Sequence, residues 1–195
     1  MKKEFNSVYQ FKVTLQNSKP PIWRRIQVPE TYNFWDLHVA IQDAMGWYDY
    51  HLHEFEIESP AGGSPVRIGV PFEGAEEVLP EEDQKIVDYF SLENPYAYYV
   101  YDFGDCWEHK IQLEKICPRE DITYPVCIKG KRACPPEDCG GIWGYEELLE
   151  IIKNPKHEEY EDMMEWLDKE VDPEHFDPRE VIFDDPDERF KIPLE

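Results

Sequence analysis

Three histidine residues lie in two stretches of the sequence that have the pattern of β-strands. His51 and His53 share a face with Phe55, and His109 shares a face with Trp107, because residues two apart on a strand point the same way. Three of the six histidines are therefore expected where apolar side chains point. Two imidazoles at this spacing can bind one metal ion, so the pattern indicates either a metal site or buried histidines that are hydrogen-bonded to neighbours.

Asp102 is predicted to lie beside His109 across a hairpin. A two-residue loop at 104–105, with glycine first, suits a type II′ turn. This register makes Asp102 the direct neighbour of Trp107 and a diagonal neighbour of His109. A carboxylate and an imidazole that are buried together need each other as partners. The pair is then either structural or, with the two earlier histidines, part of a metal or ligand site.

Four of the five cysteines fall in the loop-rich stretch from residue 117 to residue 139. A structural zinc ion would stabilise such a stretch, and Cys127, Cys134 and Cys139, with Cys117 upstream, are the candidate ligands. The sequence lacks a Cys-x-x-Cys pair, so free cysteines packed as small apolar side chains are the alternative. We predict that the first three sulfurs lie together; a shared zinc ion needs them within about 4 Å of one another.

The charge balance restricts the partners. The 195 residues include 43 acidic and 20 basic side chains, for a net charge of −23, whereas nucleic-acid binding depends on basic side chains that neutralise phosphates. We therefore expect no nucleic-acid partner and no membrane partner, and a small molecule or a protein instead. No apolar run has the length of a membrane span, and the N-terminus lacks a secretory pattern. With an odd number of cysteines, this predicts a cytoplasmic, reducing location.

The elements that position these residues follow from periodicity and capping. Alternation predicts strands at 9–15, 22–28, 51–57, 66–70, 96–103 and 107–115, and helical spacing predicts helices at 34–45, 145–153 and 158–168. Residues 73–93 hold eight acidic groups and one lysine, so we expect a solvated excursion that contributes little to the core. These elements predict one α+β domain over 1–195. Its antiparallel, strongly curved sheet has a helix after the first hairpin, two C-terminal helices packed on it, and an acidic C-terminal tail.

Five ordered motifs carry a resemblance to a known family; they lie at 21–29, 41–47, 51–55, 101–109 and 133–141. Together they are similar to the plasmid Ri Orf-three-like family, which also carries the labels insertion-element passenger and resolvase-like. The similarity runs from about Tyr9 to Phe183 and implies an α+β domain, but it supplies no activity. The resolvase label finds no support in the residues: a serine recombinase needs a nucleophilic serine among arginines and a basic DNA-binding part, whereas this chain has a net charge of −23.

Two functions remain, and whether the protein is an enzyme stays open between them. The first is an acidic cytoplasmic domain that binds a small ligand or a partner through an aromatic-lined cleft. Its candidate site residues are His51, His53, Tyr99, Tyr101, Asp102, Asp105, Trp107 and His109. The alternative is a metal-dependent hydrolase with Asp105 or Glu108 as the base. Its metal ligands would be His51, His53, Asp102 and His109. Zinc is the one candidate cofactor.

Overall fold

The computed structural model describes residues 4–71, 77–167 and 171–191, and an eight-stranded sheet that is not closed into a barrel organises them. The strands are β1 (Ser7–Leu15), β2 (Ile22–Pro29), β3 (His53–Ile57), β4 (Val66–Gly69), β5 (Val78–Pro80), β6 (Tyr96–Tyr101), β7 (Trp107–Pro118) and β8 (Val126–Lys131). Their order across the sheet is β5-β4-β3-β6-β7-β1-β2-β8. All neighbours are antiparallel except β4 and β5. The predicted α+β class with a largely antiparallel sheet is confirmed.

Helix α1 (Phe34–Met45) follows the first hairpin, as predicted. Asn33 and Asp36 form a capping box: each backbone N–H donates to the other side chain, at 3.0 and 2.8 Å. The helix ends at Gly46, whose φ of 92° is in the left-handed region. The buried face of α1 packs against β2 and also contacts β4.

The remaining helices are α2 (Ile86–Tyr89), α3 (Gly141–Lys153), α4 (Tyr160–Leu167) and α5 (Pro186–Arg189). The helix predicted over 145–153 therefore begins one turn earlier, and the one predicted over 158–168 is two residues shorter at its start, while residue 168 lies outside the described residues. None of the helices in the described ranges is long and apolar enough to cross a bilayer.

The prediction that residues 73–93 contribute little to the core is wrong for the part that the structure describes. Ile86 and Phe90 are fully buried, and the Phe90 ring lies 4.8 Å from that of Phe11. Glu81 is buried as well. The acidic composition of the segment predicted an exposed loop. Ile86 and Phe90 lie four residues apart, however, so they share one side of a helical turn and are buried together. Residues 72–76 lie outside the described ranges.

The central hairpin of β6 and β7 forms as predicted, but its register differs by one residue. Tyr101 pairs with Trp107, and Tyr99 pairs with His109. The loop therefore spans the five residues 102–106, not two. Asp102 and Cys106 both have φ of 56°, so the chain leaves the strand at Asp102 through left-handed backbone, which aspartate tolerates better than most residues. The tyrosines, and not Asp102, face Trp107 and His109.

The acidic C-terminal segment 171–191 returns to the body of the domain. Trp35 Nε1 donates to the carbonyl of Pro186 at 3.0 Å. Arg189 bonds Asp43 on α1 at 2.6 Å, and the ring of Phe176 lies 3.8 Å from the buried Arg24 guanidinium. These contacts hold the segment against α1 and the β2 side of the sheet.

Candidate functional site

Three loops meet where β6 ends and β7 begins, and we call this region the loop end: residues 46–52, 102–106 and 133–140. The Asp102 N–H donates to the Leu52 carbonyl at 2.9 Å. The Gly140 N–H donates to the Asp105 carboxylate at 3.0 Å. These hydrogen bonds join the three loops, and they hold the side chains of the loops close to one another.

The backbone of the loop end is unusually rich in left-handed residues. Asp49, Asp102, Cys106 and Asp138 have φ between 56° and 62°, a conformation that costs energy for residues other than glycine and recurs at binding sites. Gly141, at φ 67°, follows directly; a Cβ there would lie 2.4 Å from a backbone oxygen of the hairpin loop. The close approach of the third loop to the hairpin therefore requires glycine at this position.

His51, Asp102 and Asp138 form a cluster of potential metal ligands at this end. His51 Nε2 lies 3.1 Å from Asp138 Oδ1 and 3.8 Å from Asp102 Oδ2, and the three donor atoms all lie within 4.8 Å of one another. The Nε2 atom is itself buried and makes no hydrogen bond in the described structure, although its distance from Asp138 is that of an ion pair. One imidazole and two carboxylates thus face a common point.

Tyr101 connects the loops beneath this cluster. Its hydroxyl donates to Glu137 of the third loop and accepts the Tyr50 N–H at 3.0 Å. Burial, followed by the hydrogen bond to Glu137, raises the pKa of Tyr101 well above its usual value, so the hydroxyl keeps its proton and acts as a donor. Trp47 covers the Tyr101 ring at 5.1 Å and donates to the Pro135 carbonyl at 3.0 Å.

A second cluster lies deeper, between α1 and β3. The rings of His38 and His53 stack with centroids 3.4 Å apart and planes 6° from parallel. His38 Nε2 bonds Asp49 at 2.8 Å, and His53 Nε2 bonds Glu81 at 2.6 Å. Each of these four side chains is nine-tenths buried or more. The Tyr99 hydroxyl completes the network, 2.9 Å from His38 Nδ1.

Electrostatics favour a neutral His38 and an ionised Asp49 in this cluster. Burial, assisted by the neighbouring His53, lowers the pKa of His38. Burial is the largest single influence on the pKa of Asp49 and would raise it, but the hydrogen bond from His38, together with the electrostatic effects of His38, His53 and Arg189, outweighs burial, and the pKa lies below its usual value. His38, Asp49 and His53 bring donor atoms within 4.8 Å of one another. However, an imidazole binds a metal ion in its ring plane, and no point lies in the planes of two stacked rings, so the arrangement suits a structural hydrogen-bond network.

His109 does not contact Asp102, so that prediction is wrong. The imidazole is fully buried between Trp47, at 5.3 Å, and Tyr99, at 5.4 Å. Neither ring nitrogen has a hydrogen-bond partner among the described side chains. Burial lowers the pKa of His109 to about 4, so it is a neutral core residue. The error follows from the one-residue register change, which moves Asp102 out of the strand.

The three cysteines predicted to lie together do not form a cluster. Within the described ranges, no group of three ligands within 4.8 Å of one another includes Cys127, Cys134 or Cys139, and all five cysteines are free. Burial raises the pKa of Cys139 to about 12 and that of Cys134 further, so these thiols stay protonated. Strand pairing stabilises the stretch from residue 117 to residue 139 without a metal ion, since Cys127 on β8 pairs with Ile26 on β2. The described structure therefore gives no geometric support for zinc as the occupant, which was the less favoured of the two interpretations of these sulfurs.

The predicted ligand-binding residues divide into two groups. The structure brings four of them to the loop end: His51, Tyr101, Asp102 and Asp105. The other four are core residues and cannot line an open cleft: His53, Tyr99, Trp107 and His109. Sequence reasoning missed Asp138 as a member of this cluster, although it lies inside the motif at 133–141. It also missed His38, Asp49 and Glu81; the one local signal was that His38 and Gln42, four residues apart on α1, share a helix face.

Comparisons with known proteins agree with this fold. The family model "Plasmid pRiA4b ORF-3-like protein" matches residues 7–180. The chain is 36% identical over 163 residues to "Uncharacterized protein y4hQ" of Sinorhizobium fredii, covering 82% of this chain and 80% of that protein. The "Crystal Structure of Protein of Unknown Function MM3350 from Methanosarcina mazei Go1" shares 52% identity at a TM-score of 0.87, covering 92% of this chain and all of that one. A match over nearly the whole described fold shows that the chain belongs to the plasmid pRiA4b ORF-3-like family.

Proposed function

We propose that the protein is a ligand-binding domain whose loop end holds a divalent metal ion on His51, Asp102 and Asp138. The observation that carries the proposal is the buried Nε2 of His51, which lies between two carboxylates without a hydrogen bond. A buried imidazole nitrogen ordinarily has a partner, and here the two nearest groups are both metal-ligating.

The distances support a shared ion. Ligand bonds of about 2.1 Å place adjacent donors about 3.0 Å apart in an octahedral site and about 3.4 Å apart in a tetrahedral one. The 3.1 Å separation between His51 and Asp138 falls between these two values, and the 3.8 Å separation between His51 and Asp102 exceeds the tetrahedral value by about 0.4 Å. One nitrogen and two carboxylate oxygens form a donor set for first-row ions such as Mn²⁺ or Zn²⁺.

The site is open to solvent and lies beside exposed aromatic side chains. The side chains of His51 and Asp138 are 30% and 66% exposed. In the same loop as His51, the rings of Tyr48 and Tyr50 stack at 5.6 Å and stand in solvent, and Trp143, on the first turn of α3, is 82% exposed. Exposed aromatic groups of this size are characteristic of binding surfaces, so they supply contacts for an organic ligand or a partner protein next to the metal.

Calorimetric titration tests the metal site. Chelator-treated wild-type protein should bind one Mn²⁺ or Zn²⁺ per chain, and the D102N/D138N double variant should bind at least about tenfold more weakly, because it loses both charged ligands. Asparagine tolerates left-handed backbone, so the fold should be retained, as circular dichroism can verify. The exposed-aspartate variant D121N is the control. No binding by wild type, or equal binding by D102N/D138N, would contradict the proposal.

Metal-dependent hydrolysis is the second candidate, and one observation favours it. The cluster supplies three protein ligands, the number typical of catalytic zinc sites that keep a position for water. Asp105 lies at the loop end and is the candidate base, and the proposed ligand set leaves out His53 and His109, which are buried in the core. Hydrolysis of chromogenic phosphate and carboxylate esters by metal-loaded protein, absent in D102N/D138N, would establish this function over simple binding.

The expected compartment remains part of this proposal. The described chain has five cysteines and no disulfide bond, which supports a reducing, cytoplasmic location. Fractionation of the native organism's cells would test it.

A further inference from the structure

A separate cavity of about 350 Å³ lies at the opposite end of α1 from the loop end. It is formed where β2 ends, where the chain enters β8, and where the C-terminal segment folds back. Because α1 has 12 residues at a rise of about 1.5 Å each, the two ends lie roughly 18 Å apart. The volume is that of a small-ligand site.

The walls of this cavity combine aromatic rings with carboxylates. The rings belong to Phe5, Tyr32, Tyr124 and Phe183. Phe5 and Tyr124 meet edge to face at 5.8 Å, and the guanidinium of Arg119 already lies 4.7 Å from the Phe5 ring. Aromatic faces attract organic cations through the ring quadrupole, and the contact with Arg119 shows one such ring in that role.

Four aspartates line the same cavity: Asp36, Asp184, Asp185 and Asp187. Asp184 is bonded to Arg189 at 2.5 Å, but none of the ion pairs found in the described ranges involves Asp185 or Asp187. The carboxylates also act on Tyr32 in the wall of the cavity. Burial is the main cause of the raised pKa of Tyr32, and the negative charges of Asp36 and Asp185 raise it further. Asp185 also accepts the Asp187 N–H at 3.0 Å, and after Glu188 both carboxylates raise the pKa of the exposed Lys191, which agrees with their negative charge. Aromatic walls and carboxylates together are complementary to a positive charge on an apolar stem.

We propose that this cavity binds an aliphatic ammonium group, with its stem against the rings and its charge toward Asp185 and Asp187. Two sources share this chemistry, a free polyamine and a lysine side chain of a peptide. The proposal is independent of the metal site at the loop end, because no residue belongs to both.

Isothermal titration in about 0.15 M NaCl, which screens diffuse attraction to an anionic protein, tests the proposal. Spermidine and a capped pentapeptide with one central lysine are the probes, and the same peptide with norleucine is the uncharged control. We expect saturable binding of one or both cationic probes and none of the norleucine peptide. The tighter of the two cationic probes identifies the source.

Variants then locate the binding. D185N/D187N should weaken it at least about tenfold, whereas E146Q/E147Q, which removes two exposed charges from α3, should change it by less than about twofold. Y124L, which keeps the apolar volume but removes a ring, should weaken it as well. Three results would overturn the proposal: no saturable binding by wild type, equal weakening by E146Q/E147Q, or binding of Ca²⁺ at these aspartates without binding of either amine.

Discussion

The pH dependence of stability should change when His109 is replaced by leucine. His109 is fully buried and its pKa is lowered to about 4, whereas imidazole in an unfolded chain titrates near pH ~6.5. Between these two values the unfolded state binds a proton that the folded state does not bind, so the free energy of unfolding falls as the pH falls. From pH ~7.5 to pH ~5, this linkage gives a loss of roughly 2 kcal/mol from this one side chain.

The His109→Leu variant should lack that part of the pH dependence. It should also be about as stable as wild type at neutral pH or more so, since leucine fills a similar volume without burying polar atoms. Urea unfolding of both proteins at the two pH values can be followed by tryptophan fluorescence. Subtracting the variant's change in unfolding free energy with pH from that of wild type cancels the contributions of the other titrating groups. The partly exposed His157→Leu serves as the control. A pH dependence in His109→Leu equal to that of wild type would refute a neutral, buried imidazole.

Three other predictions concern the loop end, the buried network and the charge. Gly141→Ala should lower the free energy of unfolding in urea by about 2–4 kcal/mol, because the alanine would have a φ of 67° and its Cβ would lie 2.4 Å from a backbone oxygen. Gly62→Ala is the control: its φ is 78° but nothing lies near its Cβ, so it should lose only the backbone contribution of about 1 kcal/mol. Tyr99→Phe should cost roughly 1–3 kcal/mol, because the hydroxyl contacts both His38 and Gln42, and a thermal melt indistinguishable from wild type would count against the network. Duplex DNA should not bind in about 0.15 M salt, since a net charge of −23 repels phosphate; a salt-sensitive rise in fluorescence anisotropy at micromolar protein would show otherwise.

Elements whose determinants are local in sequence could be predicted, and those set by distant contacts could not. Helix α1 is specified by Asn33, Asp36 and Gly46, all within or beside the helix. The hairpin of β6 and β7 was also predictable, but its register depends on the backbone conformation of Asp102, and a five-residue loop has no signature as distinctive as a two-residue turn. The prediction for residues 73–93 relied on the average charge of the segment, which says nothing about a single buried side chain such as Ile86.

The candidate site was predictable to the extent that it depends on strand periodicity. His51 and Asp102 were identified from their predicted positions on strands; both lie just outside β3 and β6, and their side chains do lie 3.8 Å apart. Asp138 lies beside them because the loop 133–140 folds over the hairpin. The sequence of that loop does not predict its position relative to the hairpin. The stacking of His38 on His53 similarly requires α1 to cross the sheet at one particular place, which depends on packing across the whole core.

An open sheet has two edges at which another molecule's strand could add, and this fold protects both. At one edge, β5 has three residues and ends at Pro80, which has no N–H to donate. At the other edge, the C-terminal segment lies so close to β8 that a Cβ on Gly130 would be 2.3 Å from the Phe176 ring, and Ala133 N–H donates to the Pro173 carbonyl at 3.1 Å. Because the Phe176 ring also lies 3.8 Å from the Arg24 guanidinium on β2, the acidic segment packs on the face of β2 and β8 beside the free edge, where it hinders the approach of another strand. A chain shortened before residue 171 should expose β8 to strand addition, and concentration-dependent self-association would be the consequence.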